Sequence, residues 1–277
     1  MRMAAILLAG RASDGVRTAT RDVPQTRTRP SLARPANKIS PMLMTDDELQ
    51  ALLAGRIASV EARVTAACQR AGRPRGSVTI VAITKTVSIR VAALLPELGL
   101  PNLGENRPQE LWEKAAAIPD ATWHFTGHLQ RNKIDRTLPH VALLHTVDSE
   151  RLAIALHAFA IKASRSIPIL FEVNCSREAS KGGVSAEELP AFADKAMTLT
   201  GLRIEGLMTM AAHAGEPEEC RPTFAELRSL RDGLRERTGW PLPHLSMGMT
   251  NDFEVAIEEG ATFIRLGTIL FEGLEAE

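Results

Sequence analysis

The chain has 277 residues with 33 basic and 33 acidic side chains, so its formal net charge at pH 7 is zero. This balance offers no electrostatic footprint for nucleic acid or for a membrane surface, and no run reaches the ~20 apolar residues of a membrane helix. The length allows two small domains or one large α/β barrel. The three cysteines form no CxxC pair, which favours a reducing, cytoplasmic location.

Residues 1–44 differ in composition from the rest of the chain, because arginine, proline, serine and threonine are frequent and acidic residues are nearly absent. The segment has no amphipathic periodicity, so we interpret it as a disordered tail or as an artefact of a start site placed too far upstream. An arginine-rich transit peptide is the alternative. Residues 45–277 are assigned to a single domain.

Order is predicted from Thr45, where Thr45-Asp-Asp-Glu48 forms a capping box before a helix whose apolar face runs from Leu49 to Cys68. Strands and helices then alternate. The predicted strands are Val78–Thr84, Asn102–Glu105, Thr122–Phe125, Ala142–Val147, Ile167–Val173, Arg203–Met208, His244–Ser246 and Thr262–Leu266. The predicted helices lie around Val91–Leu95, at Pro108–Ala117, Gln130–Thr137 and Ser149–Ala163, after a second capping box Ser185-Ala-Glu-Glu188, through Phe224–Leu234, and at Asp252–Glu259.

Eight short strands that alternate with helices predict a single (β/α)8 barrel of the TIM type. The alternative is a doubly wound open sheet. No GxGxxG motif follows any predicted strand, so a dinucleotide-binding sheet is not indicated.

Lys85 directly follows the apolar, β-branched run Val78–Thr84, which is predicted to be a fully buried strand. In a barrel, the residues after the C-terminal ends of the strands form the active face. Partial burial there lowers the pKa of a lysine amine and makes it a nucleophile toward an aldehyde. Most strand-end lysines only extend to water, so Lys85 alone does not decide between the two interpretations.

Two segments after the last two predicted strands indicate a phosphate site. Ser246-Met-Gly-Met-Thr250 leads into a helix, where free N–H groups and the positive end of the helix dipole favour an anion. Arg265-Leu-Gly-Thr268 follows the eighth strand, and barrel enzymes often bind phosphate with the loops after strands seven and eight. The alternatives are a simple N-cap at Thr250 or Asn251 and a tight turn at Gly267.

Two other groups of polar residues give weaker indications. His124 and His128 are spaced like zinc ligands on a helix, but Gly127 disfavours a helix and no HExxH pattern exists, so no metal site is predicted. Lys181 lies in a glycine-rich loop and is interpreted as solvated, with a phosphate contact or a second Schiff base as the alternatives.

Together these segments resemble the pyridoxal phosphate homeostasis protein family, whose fold is similar to the barrel domain of alanine racemase. The resemblance extends from about Leu49 to Gly273. The matching stretches are Val81-Ala-Ile-Thr-Lys85, Gly104-Glu-Asn106 with Gln109-Glu110, Trp123-His-Phe-Thr-Gly-His-Leu-Gln130 with Asn132-Lys133, Val147-Asp-Ser149, Val173-Asn174, Glu178-Ala-Ser-Lys181, Gly206-Leu-Met-Thr-Met210, Leu245-Ser-Met-Gly-Met249, Asn251-Asp-Phe-Glu254 and Arg265-Leu-Gly-Thr268.

The resemblance implies that the chain carries pyridoxal 5'-phosphate (PLP) as a Schiff base on Lys85. It also implies that Arg265 faces the pyridine nitrogen, where its charge disfavours protonation and makes PLP a poorer electron sink. The other cofactor-binding residues that the resemblance implies are Asn106 and Met208 at the ring and Ser246, Thr250, Gly267 and Thr268 at the phosphate.

The chain departs from the family pattern at three positions. Arg107 stands where many members have tyrosine, and Glu272 follows Phe271 where glycine is usual, so the roles of these two neighbourhoods stay open. Thr250 replaces the usual serine but keeps the hydroxyl group.

By resemblance, the expected function is intracellular PLP homeostasis by a monomer that hands PLP to apo PLP-dependent enzymes, with no dedicated reaction and no catalytic residue. A racemase-like PLP enzyme is the alternative. Racemisation on such a barrel uses a tyrosine from a second domain, and this sequence contains no tyrosine. A phosphosugar aldolase with a Schiff-base lysine and no bound cofactor is a third hypothesis.

Overall fold

The fold was analysed in a computed structural model, which describes residues 44–178, 181–212 and 216–275. Eight parallel strands form a closed barrel in the order β1 to β8, and β1 pairs with β8 to close it. The predicted (β/α)8 barrel is therefore confirmed. The tail predicted at residues 1–44 lies, except for Met44, outside the described residues.

The observed strands agree with the predicted ones to within a residue at each end. They are β1 (Thr79–Ile83), β2 (Asn102–Glu105), β3 (Thr122–Phe125), β4 (Leu143–Val147), β5 (Ile167–Glu172), β6 (Leu202–Met208), β7 (His244–Ser246) and β8 (Phe263–Leu266). The helices are α1 (Asp46–Arg70), α2 (Ile89–Ala93), α3 (Pro108–Ala117), α4 (Ile134–Thr137), α5 (Glu150–Lys162), α6 (Leu189–Ala196), α7 (Arg221–Thr238), α8 (Phe253–Glu258) and α9 (Thr268–Phe271). No helix in these ranges is long and apolar enough to cross a membrane.

Helix α1 begins at the predicted capping box. The Glu48 N–H donates to the Thr45 hydroxyl at 3.2 Å, and the Thr45 N–H donates to the Glu48 carboxylate at 2.8 Å. These bonds satisfy two N–H groups that have no partner within the helix. The apolar face of α1 packs on α8 and α9. Because α9 has only four residues, α1 from the other end of the domain helps to cover the barrel there.

Two predicted helices differ from the observed ones. The segment Gln130–Thr137 divides into a 3₁₀ turn at Arg131–Lys133 and the single α-helical turn of α4. The second capping box also forms, with reciprocal bonds between Ser185 and Glu188 at 3.1 Å, but it closes a turn and α6 starts only at Leu189.

The interior of the barrel differs in composition from the layer between sheet and helices. Most buried apolar side chains form one large cluster in that outer layer. The barrel lumen contains a small separate apolar cluster made by Val81, Leu143, Leu170, Met208 and Phe263. Buried polar residues share the lumen with it. Polar groups therefore lie directly beneath the face where the strands end.

Candidate functional site

A cavity of about 990 Å³ opens where the strands end, at the face on which barrel enzymes carry their active sites. Seven of the eight residues predicted to bind a cofactor line it: Lys85, Asn106, Met208, Thr250, Arg265, Gly267 and Thr268. The eighth, Ser246, is fully buried beneath the cavity and does not line it. Pairing of β1 with β8 brings the Lys85 segment beside the Arg265 segment.

Lys85 and Asn106 both have polar side-chain atoms in this cavity that lack a partner among the described residues. Lys85 is exposed and forms no hydrogen bond or ion pair with any described residue. It thus has the access to the cavity that the sequence predicted, but not the burial. The Asn106 carboxamide oxygen is buried and has no hydrogen-bond partner among the described residues. A buried polar atom without a partner is costly, so this oxygen fits a site completed by a polar ligand.

A buried ion pair supports these two residues from below. The Lys114 ammonium of α3 donates to the Glu105 carboxylate at 2.6 Å and to the Thr84 carbonyl at 2.6 Å. The Thr84 hydroxyl donates to the same Glu105 oxygen at 2.6 Å. We call Lys114, Glu105 and Thr84 the lysine cluster. Thr84 and Glu105 directly precede Lys85 and Asn106, so the cluster fixes the backbone that carries both.

The loop after β7 has the features of an anion site. Gly248 has a φ of 92°, and a Cβ there would lie 2.6 Å from the Ala256 side chain, so only glycine makes this turn without strain. The backbone N–H groups of Thr250 and Asn251 have no hydrogen-bond partner among the described residues. The Thr250 hydroxyl accepts from the Ile269 N–H at 3.3 Å and so joins this loop to α9.

The two helices that follow these loops are short, and α8 is shorter than the predicted Asp252–Glu259. Helix α8 has six residues and α9 has four, and the N-cap of α8 is Asp252, not Thr250 or Asn251. Short helices have few aligned peptide dipoles. The groups of this wall that remain available to an anion are therefore mainly the loop N–H groups and the hydroxyls of Thr250 and Thr268.

Arg265 is the cation at the floor of the cavity. It is buried, and its guanidinium donates to the Ser246 hydroxyl at 2.7 Å and to the Thr209 carbonyl at 2.9 Å. Burial lowers the pKa of Arg265 to about 10, so the group stays charged at neutral pH. Ser246 was predicted to hold phosphate; in the structure it holds Arg265, because its side chain points into the barrel lumen.

A continuous row of hydrogen bonds extends from Arg265 through the barrel lumen. His145 Nδ1 lies 2.8 Å from the Ser246 hydroxyl, and His145 Nε2 lies 2.9 Å from His124 Nδ1. His124 Nε2 lies 3.0 Å from the Asn102 carboxamide oxygen. Burial lowers the pKa of His124 to about 4 and that of His145 well below 6.5. We call Asn102, His124, His145, Ser246 and Arg265 the histidine row.

Glu172, at the end of β5, is another buried ionisable residue near this face. The residue is 6% exposed, and its carboxylate has no hydrogen bond or ion pair within the described part of the chain. Burial, reinforced by the charge of Asp148, raises the pKa of Glu172 to about 7. It is therefore partly protonated at neutral pH.

Three other residues singled out from the sequence are His128, Lys181 and Arg107. His128 is exposed and contacts Asp148 at 2.9 Å, whereas His124 is buried and contacts His145. The two histidines therefore do not face a common site. Lys181 lines the cavity and contacts the Ala211 carbonyl and, at 3.2 Å, Glu178. Arg107 points to solvent, paired with Glu110 at 3.0 Å. Among the described residues no group of three or more His, Cys, Asp or Glu side chains is placed to hold a metal ion.

Sequence reasoning missed Lys114, His145 and Asn102. Lys114 shares a helix face with the buried Leu111 and Ala115, and this position could have signalled a buried charge. His145 is a polar residue inside the fully buried strand β4, which is a similar signal. The bonds of both depend on the register between strands, which a single sequence does not reveal.

Comparison with known proteins agrees with this geometry. Residues 56–275 match the family described as "Alanine racemase, N-terminal domain". The alanine racemase of Clostridium difficile shares the fold, with a TM-score of 0.60 and 18% identity over 70% of this chain and 51% of that one. The fold and the site thus define a barrel of the alanine racemase N-terminal type.

Full-length relatives narrow the assignment. The pyridoxal phosphate homeostasis protein of Aquifex aeolicus is 42% identical over 78% of this chain and 96% of its own length, and that of Escherichia coli K12 is 32% identical over 79% and 95%. The solved structure of PipY of Synechococcus elongatus, which has PLP bound, superposes with a TM-score of 0.69 and 32% identity over 79% and 99%. The chain belongs to the pyridoxal phosphate homeostasis protein family.

Proposed function

We propose that the chain binds PLP covalently through Lys85 and serves in cytoplasmic PLP homeostasis as a carrier without a dedicated reaction. The observation that carries this proposal is one cavity that combines an unpartnered lysine, a buried carboxamide oxygen without a partner, and a wall of free N–H and hydroxyl groups. An aldehyde that bears a phosphate and polar ring substituents matches all three.

Each residue has a distinct role in this proposal. The Lys85 amine would hold the aldehyde carbon, while Thr250, Gly267 and Thr268 would hold the phosphate, and Asn106 and Met208 would contact the ring. Bound PLP supplies an electrophilic imine carbon and an electron-withdrawing ring. Arg265, charged and held by Ser246, would sit at the ring nitrogen and keep it unprotonated, which suits storage better than carbanion chemistry.

The test uses the purified full-length chain incubated with PLP, reduced with borohydride and mapped by peptide mass spectrometry. We expect the pyridoxyl mass on Lys85 and its loss in Lys85→Ala. The matched control is Lys181→Ala, which removes another lysine of the same cavity and should leave the labelling of Lys85 intact. Absence of label on Lys85 in the unaltered chain would overturn PLP binding and leave an aldolase as the candidate.

The carrier assignment has its own test. The PLP-loaded chain is assayed with a panel of amino acids for racemisation and elimination, and we expect no sustained turnover. Robust turnover that disappears in Lys85→Ala would make the chain an enzyme. We further propose that it acts as a monomer and delivers PLP to apoenzymes. Light scattering at a single-chain mass and reactivation of an apo PLP enzyme faster than the same concentration of free PLP would support this.

A further inference from the structure

The histidine row has a single direction when its hydrogen atoms are assigned. The Asn102 carboxamide oxygen lies 3.0 Å from His124 Nε2 and can only accept, so His124 must donate from Nε2. Both imidazoles are neutral near pH 7 because burial lowers the pKa of each, and a neutral imidazole carries one N–H. His124 Nδ1 is therefore an acceptor.

His145 and Ser246 connect His124 to Arg265 at the cavity floor. His145 must donate from Nε2 to His124 Nδ1 at 2.9 Å, so His145 Nδ1 accepts from the Ser246 hydroxyl at 2.8 Å. With its hydrogen committed to His145, the Ser246 oxygen presents lone pairs to Arg265, which donates at 2.7 Å. Every hydrogen that joins two members of the row thus points away from the cavity and toward Asn102.

We propose that Asn102, His124, His145 and Ser246 are positioning residues for Arg265, and that the Asn102 oxygen sets the direction of the whole row. Arg265 is held as a fixed donor, and His124, His145 and Ser246 cannot pass a proton toward a ligand at the cavity floor. This inference rests on the proposed function, since it assigns the row to the residue that would face the PLP ring nitrogen.

The packing of the row supports a fixed geometry. Phe263 of β8 packs against both rings, with centroid distances of 5.4 Å to His124 and 5.6 Å to His145. The two imidazoles meet edge to face at 74°. The residues come from β2, β3, β4, β7 and β8, so the row joins opposite sides of the barrel through its lumen. Aromatic packing and hydrogen bonds at both nitrogens hold the two rings in one orientation.

The first test is long-range ¹H–¹⁵N NMR of the ligand-free full chain labelled with ¹⁵N-histidine at pH 7.5. The signals are assigned with His124→Gln and His145→Gln. We expect both rings to be neutral and protonated on Nε2. A proton on Nδ1 of either ring, or a doubly protonated ring, would overturn the inference. This readout does not depend on PLP.

The second test compares Asn102→Leu with Asn102→Asp, which is isosteric and keeps the acceptor oxygen. In Asn102→Leu we expect His145, which does not touch position 102, to lose its single tautomer, and the dissociation constant for PLP to rise about three- to tenfold. In Asn102→Asp the affinity should stay within about twofold. Equal PLP affinity in both variants would contradict the positioning role.

The outcomes separate the two proposals. If the unaltered chain does not bind PLP, the proposed function fails whatever the tautomers are. If PLP labels Lys85 but the rings have the wrong tautomers, only the present inference fails. If Asn102→Leu does not fold, the NMR of the unaltered chain and of Asn102→Asp still decides the direction of the row.

Discussion

The lysine cluster and the histidine row both support the cavity from below, but they use different chemistry. The lysine cluster uses a full ion pair, in which the side chains of Lys114 and Glu105 are 6% and 0% exposed. The histidine row uses neutral rings that relay a hydrogen-bond direction to one cation, Arg265. The first supports the segment with Lys85, and the second supports the cavity floor.

The difference shows which change destabilises each group. A buried ion pair fails when one partner is removed, because the other charge remains in a low-dielectric environment. A neutral row fails when a ring gains a proton, because its donors and acceptors then no longer match. The lysine cluster should therefore be sensitive to substitution and the histidine row to pH.

The largest expected effect is that of Lys114→Met. It leaves the Glu105 carboxylate buried without its cation, and we expect a loss of about 3–5 kcal/mol in the free energy of unfolding, measured by urea denaturation. The control is Lys162→Met, whose ammonium lies 3.9 Å from Asp135 in a largely exposed pair and should cost less than about 0.5 kcal/mol. Similar losses in the two variants would show that the buried pair is not special.

The next effect is acid destabilisation through the histidine row. The pKa of His124 is about 4 in the folded chain and 6.5 when unperturbed, so below pH 6.5 the unfolded chain binds protons that the folded chain does not. The contribution of His124 to stability is complete above pH 6.5 and should fall by about 3 kcal/mol as the pH drops to about 4. Urea denaturation across this range measures the fall, and His124→Gln should flatten it. An unchanged profile in His124→Gln would refute this origin, and the exposed His140→Gln serves as control.

The smallest effect has the opposite sign and comes from Glu172. Its pKa is raised to about 7, so its contribution to stability is complete below pH 4.5 and is lost as the pH rises through 7. Glu172→Gln should stabilise the fold by about 1–3 kcal/mol at pH 8 and by almost nothing at pH 5. Thermal denaturation at the two pH values measures the difference. A gain of equal size at both would indicate a packing effect instead.

Much of the fold could be predicted from the sequence, because local patterns determine it. Short strand-like segments that alternate with helical patterns predicted every strand to within a residue at each end, and Thr45 with Glu48 predicted the start of α1. The cavity residues were predictable because they follow strand ends, a position that a barrel converts into a shared face.

The support beneath the cavity was less predictable. The contact of Ser246 with Arg265 and of His145 with Ser246 depends on which side chains point into the lumen and on strand register. A shift of one residue in a strand reverses both faces, so a small error in a predicted strand changes which side chains enter the lumen. The role of Ser246 could therefore not be derived from its sequence position.

The pairing of β1 with β8 also has a consequence for biosynthesis. Val81 pairs with Arg265. The segment that carries Lys85 is synthesised early, and it can pair with the Arg265 segment only after almost the whole domain has been synthesised. Contacts between such distant residues form slowly, because a long loop must close first. A growing chain on the ribosome therefore has Lys85 but no pocket, and capture of a ligand in the cavity marks a barrel whose folding is complete.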